Sequence, residues 1–543
     1  MEKNILILIV TLATFAAAED TNIYKTGLPV PTEQERQWFK DNCKEVIGVK
    51  LNKIAIGRIL AEQKANGIKM VSDSELIPVE IGDEFVTVQN PNEKNQELAN
   101  LLPASVDNSL LKYFPPISSQ GSLGSCAAFS TVYYQGTHNT TLAKDLDAKN
   151  GGDALHGSPK WVYNMANGGK NNGSYISTCM NIMRDHGITT WAAWPYDTNF
   201  RQWNTDSNVW RHAIDLRMSN YYRITYIHWK DKLNALKAVL ADGYVVGFQS
   251  YSPWNHNGWV KKAVGNDPAT TNDDPFVGED ISICTVTQDW GHAMTVVGYN
   301  DDIWCDINAN GTVDSGEKGA LKIANSWGNL WSNNGFAWVA YDALSNHTAV
   351  AGVTDPTDRA YGFGYGGWAS SSEVYIMKAF SDYSPKMTAA FTIKHPQRNQ
   401  MTMYVAKTDT STTSPGFSDE WSGEGLSQDG GAYAFDGTTT ECEGNFYLDL
   451  TDLDPEFGTV KRYYVGMYDN STAGQGEIIS VTFFDMDNKV IDTITPDANP
   501  GNFDANLGIA NNGYAWCWID TSLPEPCLFI IYYLLTGIYY LRK

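Results

Sequence analysis

Cysteine is scarce in this sequence, eight in 543 residues. So low a density excludes a disulfide scaffold, and no two cysteines stand in the CxxC spacing of a thiolate metal site. Cys43, Cys179, Cys284, Cys305, Cys442, Cys517 and Cys527 are free to bridge in an exported protein, but their spacing does not choose pairs. Positive charge is also short: 39 Lys and Arg stand against 62 Asp and Glu, a net charge of −23 with a pI near 4.7. No long basic run precedes the last two residues, which disfavours nucleic-acid binding. Long apolar runs are missing except at the two ends, Ile5 to Phe15 and Cys527 to Leu541, and both are short for crossing a bilayer as a helix. What remains is 43% hydrophobic and 12% aromatic, a globular composition. The length exceeds what one core supports, so two or three domains are expected.

Three stretches carry chemistry. In residues 120 to 130, Gln-Gly-Ser-Leu-Gly-Ser-Cys-Ala-Ala-Phe-Ser, a Gly/Ser turn leads into helix-competent residues. Cys126 is thereby set at a helix N-terminus, where the macrodipole favours a thiolate. Gln120 is near enough to return an amide to the backbone N–H of Cys126 and stabilise an oxyanion. By itself such a cysteine is more often a small buried hydrophobe. His292 opens a β-rich run in Asp-Trp-Gly-His-Ala-Met-Thr-Val-Val-Gly-Tyr, and Asn325 ends another in Ala-Leu-Lys-Ile-Ala-Asn-Ser-Trp-Gly.

Gln, Cys, His and Asn in that order, with Gln-Gly-x-x-Gly-Ser-Cys and Asn-Ser-Trp-Gly, resemble the papain-like cysteine peptidases. The resemblance implies Cys126 as nucleophile, His292 as general base and acid in a thiolate–imidazolium pair, Asn325 as the group that orients the imidazole, and Gln120 in the oxyanion hole. It implies that Trp327 shields the Asn325–His292 contact, and that Gly173 and Ser174, in Asn-Gly-Ser-Tyr, pair with extended substrate. An ordinary turn is the plain alternative for that last cluster. Ala127 stands where papain has Trp, and Leu123 replaces a cysteine of the family disulfide. The fold class implied is α+β: a two-lobed catalytic domain, one lobe helical and one β-rich, followed by an all-β sandwich-like domain.

Residues 1–18 read as a secretory signal, with Lys3, an apolar core and Ala16-Ala17-Ala18. Residues 19–101 read as a helical propeptide or a permanent N-terminal subdomain, with Thr32 and Glu35 forming a capping box. The catalytic domain is expected over 102–380. Strand-length runs separated by turn residues fill 381–520 and predict the sandwich. Residues 521–543, with Pro524-Glu525-Pro526, an apolar run and Arg542-Lys543, resemble bacterial PEP-CTERM sorting signals; a tail anchor or a buried helix is the alternative. The implied location is the envelope or exterior of a bacterium.

Between His292 and Asn325, Asp306, Asn308, Asn310, Thr312, Asp314 and Glu317 occupy loop positions 1, 3, 5, 7, 9 and 12, with Gly311 at 6. This looks like an EF-hand or dockerin-type calcium loop with a structural Ca2+; an acidic hairpin is the plain reading. The expected function is a secreted cysteine endopeptidase acting on protein or peptide substrates, monomeric, with no cofactor for catalysis. A surface binding or adhesion protein with an inactive peptidase-like domain is the alternative from another class, and an amidase or transglutaminase-like acyl transferase a third.

Overall fold

The computed structural model describes residues 25–46, 49, 51–65, 102–251, 259–287, 291–365, 371–412, 420–421, 426, 430–453, 459–469, 476–495, 503–505 and 513–521. The expected signal, 1–18, lies outside them, as does nearly all of the tail segment, 522–543. Among the described residues no helix is long and apolar enough to cross a membrane.

Helices and strands are mixed. Cys126–Ala128 begins a helix that passes through a π-helical stretch, Phe129–Gly136, into Thr137–Ala143. This continuous rod is buried along almost its whole length. Pro159–Ala166 and Ile176–Asp185 pack around it, and Ser207–Ile214 lies against Pro159–Ala166. Trp161 and Trp210 meet edge to face at 4.5 Å, an arrangement that suits the charge distribution of aromatic rings.

Among the described residues, eleven strands share one sheet. Its path runs Lys44–Glu45, Met218–Thr225, Glu373–Ala379, Val246–Tyr251, Gly291–Trp304, Lys318–Ala324, Phe336–Ala340, Asp280–Val286, Arg359–Ala360. The central strands are buried on both faces, so they read as apolar runs rather than as alternation. The Lys230–Ala241 helix covers one face through Leu236, Val239 and Leu240.

Residues 387–521 add two antiparallel sheets, of four and five strands. They do not stand apart. Their inner residues, among them Phe446, Phe435 and Val481, belong to the same buried cluster as Trp161, Trp210 and Met180 of the helical part. Burial of each large apolar side chain there contributes roughly 1.5–3 kcal/mol. Two buried arginines tie the seam. Arg217 reaches Asp449 and Asp452 at 2.7 Å each, while Arg398 lies 4.6 Å from the Trp203 ring and donates to the carbonyls of Gly430, Ala434 and Phe435.

The described part of the N-terminal region, residues 25–65, forms no separate body. Its helix Glu33–Asn42 lies on Ile176–Asp185, its strand Lys44–Glu45 edges the large sheet in parallel with Tyr222–Arg223, and its helix Lys53–Ala65 packs on Lys230–Ala241. The capping box is half formed. Thr32 accepts from the N–H of Glu35 at 3.1 Å, but the Glu35 carboxylate turns inward to the N–H and hydroxyl of Ser177. Burial against the neighbouring helix outweighs the local cap.

Candidate active site

Main-chain pairing assembles the site. Gln120 N–H donates to Ser326 O at 2.8 Å, Gly328 N–H to Ser118 O at 3.2 Å, and Ser119 bridges Trp327. Gln120 is thereby held beside the segment that follows Asn325. The Gln120 amide is fixed at both ends: its Oε1 accepts from Ser326 Oγ at 2.6 Å and its Nε2 donates to Leu123 O at 2.8 Å. An amide nitrogen carries two hydrogens, so one remains for a second acceptor.

His292 is the second residue of its strand and Asn325 follows the last residue of the next. Antiparallel pairing of these neighbours sets Thr295 opposite Ala324 and brings the two side chains together. His292 Nε2 and Asn325 Oδ1 are 2.7 Å apart, and the same Oδ1 accepts from Ser326 N–H at 2.7 Å, which holds the amide oxygen toward the imidazole. Trp327 stacks on the imidazole with ring centroids 4.5 Å apart, and Tyr134 O–H donates to Asn325 O at 2.8 Å. His292 Nδ1 is buried without a hydrogen-bond partner. With Nε2 held by Asn325, Nδ1 is the nitrogen left to exchange a proton.

Cys126 is the first residue of its helix and is fully buried. Ser125 does not cap the helix; its hydroxyl pairs with Tyr196 O–H at 2.6 Å, and Tyr196 donates to Gln120 O at 2.9 Å. Burial pushes the Cys126 thiol up to about 11, an effect that the backbone N–H groups of Ala293, Gly27 and Ala127 only partly offset. Burial likewise pushes His292 down to about 4, against the opposing bond to Asn325. Both shifts favour the uncharged forms of the two groups. The cause is desolvation, which penalises charge where water is excluded.

The chain's own N-terminal segment lies against these residues. Running through the site from Lys25 to Val30, it accepts from Trp327 Nε1 at Lys25 O, 3.1 Å, and from Ser174 N–H at Gly27 O, 3.0 Å. Leu28 N–H then donates to Gly291 O at 3.3 Å, and Tyr175 O–H donates to Val30 O at 3.5 Å. Three glycines permit the approach. A Cβ on Gly27 would lie 1.9 Å from Gly124 O, and one on Gly173, whose φ is +104°, would lie 1.7 Å from Gly27 O. Leu28 is buried in the same cluster as Tyr251, Ala293 and Tyr365.

Gly173 and Ser174, singled out from sequence, thus pair with an extended chain, and Trp327 stands at the other end of the same groove. Tyr196 and Gly27 carry no motif that marks them, and Ser326, inside Asn-Ser-Trp-Gly, was given no role of its own. Ser326 had a signal in hindsight, since a hydroxyl beside the orienting Asn325 is a natural partner for the Gln120 amide.

The 306–317 loop joins the two strands that carry His292 and Asn325. Asp306 accepts from the N–H groups of Asn310 and Gly311 at 3.0 and 2.9 Å, and Asn308 and Asn310 both donate Nδ2 to Asp314 Oδ2 at 2.6 Å. Glu317 is buried and accepts from Ile307 and Asp314 N–H at 2.7 and 2.8 Å. Thr312 N–H donates to Asn310 Oδ1 at 2.8 Å. Among the described residues no three His, Cys, Asp or Glu side chains converge as a metal-binding group.

No protein-family model matches the chain, and no curated protein does. Similar solved structures exist. Xylellain, a cysteine protease from Xylella fastidiosa, is 20% identical with a TM-score of 0.33, over 52% of this chain and 88% of that one. A recombinant stem bromelain precursor is 15% identical with a TM-score of 0.33, over 52% of this chain and 72% of its own. Bromelain from Ananas comosus in complex with the E64 inhibitor is 17% identical with a TM-score of 0.33, over 51% of this chain and 99% of its own.

Proposed function

We propose that this chain is a cysteine endopeptidase with a two-lobed, papain-like catalytic unit and a β-sandwich appended to its helical lobe. The observation that carries the reading is the groove itself. It holds an extended polypeptide by main-chain bonds to Ser174 and Gly291, with Gly27 N–H reaching the Cys126 thiol and the imidazole held by Asn325 alongside. A surface that grips backbone rather than side chains suits peptides of varied sequence.

In the proposed reaction His292 Nδ1 takes the thiol proton as Cys126 Sγ attacks the scissile carbonyl carbon. The oxygen gains negative charge facing the Cys126 N–H and the second Gln120 N–H. Collapse breaks the C–N bond as His292 returns the proton to the leaving amine, giving a thioester. Water, deprotonated by His292, then adds to the thioester carbonyl and the thiol is regenerated, so one water is consumed per bond cut.

Export through residues 1–18, routing to a bacterial envelope through residues 521–543 and a monomeric state belong to the same proposal. So does a structural calcium ion in the 306–317 loop. Its support is the order of oxygen-bearing residues and the meeting of Asn308 and Asn310 on Asp314, since a half-turn of either amide exchanges its nitrogen for an oxygen ligand.

Casein hydrolysis by the protein once residues 25–31 have left the groove tests the reading. Cys126→Ala is expected to remove activity by ~10³-fold or more while leaving binding of peptide intact. Hydrolysis that survives the substitution would assign the chemistry elsewhere.

A further inference from the structure

Residues 25–65 divide into two parts held in different ways. The first, Lys25–Pro31, is a single extended strap held by four bonds along the groove and by Arg36 Nη1 donating to Pro31 O at 2.6 Å, and proline stands at 29 and 31, where an extended backbone is favoured. Leu28 and Pro31 are its buried side chains, and Leu28 belongs to the core cluster.

The second part, Glu33–Ala65, is woven into the rest of the molecule. Phe39 stacks on Tyr375 at 4.2 Å, and Trp38 Nε1 donates to Asn181 Oδ1 at 3.1 Å. Lys44–Glu45 completes the edge of the large sheet, and Val46 N–H continues it to Arg223 O at 2.8 Å. Asn52 meets Asp242 twice, at 2.8 and 2.9 Å. Arg58 closes the C-terminal end of the Lys230–Ala241 helix by donating to Leu240 O and Ala241 O at 3.1 and 2.8 Å, with a third bond to Asn108 at 2.8 Å. Carbonyls at a helix C-terminus have no partners within the helix, and a cation suits that end of the dipole. Ala55 and Ile59 lie in the sheet's own core. Removal of this part would strip a strand, a helix cap and buried apolar area from the fold.

We propose that Lys25–Pro31 alone is the inhibitory element and that Glu33–Ala65 remains in the active enzyme as a permanent structural component. The inference rests on the groove being the peptide-binding site. Activation then requires only that seven residues leave the cleft.

The test uses the full chain and needs no turnover. Cys126 is labelled with iodoacetamide and each cysteine is quantified by mass spectrometry. Labelling of a closed site scales with the fraction of molecules open. Gly27→Ala forces a methyl into Gly124 O, and Leu28→Asp puts a charge among Tyr251 and Tyr365. Each is expected to raise Cys126 labelling by ~10-fold or more while Cys43 and Cys179 stay protected. Gly57→Ala, in the second part, meets nothing within 4 Å and is expected to change neither. Unchanged Cys126 labelling in both strap variants, or loss of protection at every cysteine in both, would overturn the proposal. Intact mass of any active species is expected to place its N-terminus at or before Glu33, and an active species that begins later would overturn the retained role. Faster labelling without casein hydrolysis would leave the strap standing and remove the peptidase reading.

Discussion

At the scale of single residues, burial disfavours the charged forms of Cys126 and His292 where residues 25–30 lie against them. A thiol titrating near 11 is about one part in 10⁴ thiolate at pH 7, and the thiolate is the nucleophile. Burial raises the thiol because it disfavours the charged form, so restoring water must lower it. The labelling rate of Cys126 in the unaltered chain is therefore expected to climb only toward pH 11, and the profile of Gly27→Ala to move to lower pH. Identical profiles would show that the strap is not the source of the desolvation. The meeting of His292 with Asn325 was legible in the sequence because each residue sits in a short local pattern with recognisable neighbours. Gly27 was not. Its role depends on Gly124 and Gly173, residues remote in sequence, and a glycine selected by a backbone met across the fold leaves no periodic signal.

At the scale of elements, strands and helices were readable where apolar spacing is strong. The strand-length runs read in 381–520 correspond to the strands found between Met387 and Thr521. The pairing of those strands was not readable, since register is fixed by partners far along the chain. The 306–317 loop is the element with the most to test. It connects the two strands that present His292 and Asn325, so ordering it limits relative movement of the orienting pair. A calcium ion bound to the folded loop is expected to stabilise the chain by ~2.7 kcal/mol at a hundredfold excess over Kd. Thermal unfolding with added calcium against chelator measures this, with Asp306→Ala abolishing the difference. Equal melting temperatures in calcium and in chelator would leave the loop an acidic hairpin.

At the scale of the whole molecule, strand-length runs predicted a sandwich-like domain after residue 380, and the sheets of 387–521 share a buried cluster with the helices that flank Cys126. The seam was invisible in sequence because its ion pair joins residues 232 positions apart, Arg217 and Asp449. Both are buried, and Arg217 also donates to Tyr383 O–H at 2.7 Å and to Arg184 O. The carboxylates of Asp449 and Asp452 hold the guanidinium well above its ordinary range, against the opposing effect of burial. Deleting one partner of such a pair leaves the other charge uncompensated, a loss of ~3–5 kcal/mol. If the core is one, that loss destabilises both sides of the seam together. Cys179 in the helical part and Cys517 in the last strand are both fully buried and serve as built-in reporters. In thermal unfolding followed by thiol labelling, the two are expected to become reactive at one common midpoint, and Arg217→Ala to lower that midpoint for both. Separate midpoints, with Arg217→Ala moving Cys517 alone, would mean that the sheets unfold as an independent domain and that the shared core does not couple them to the catalytic half.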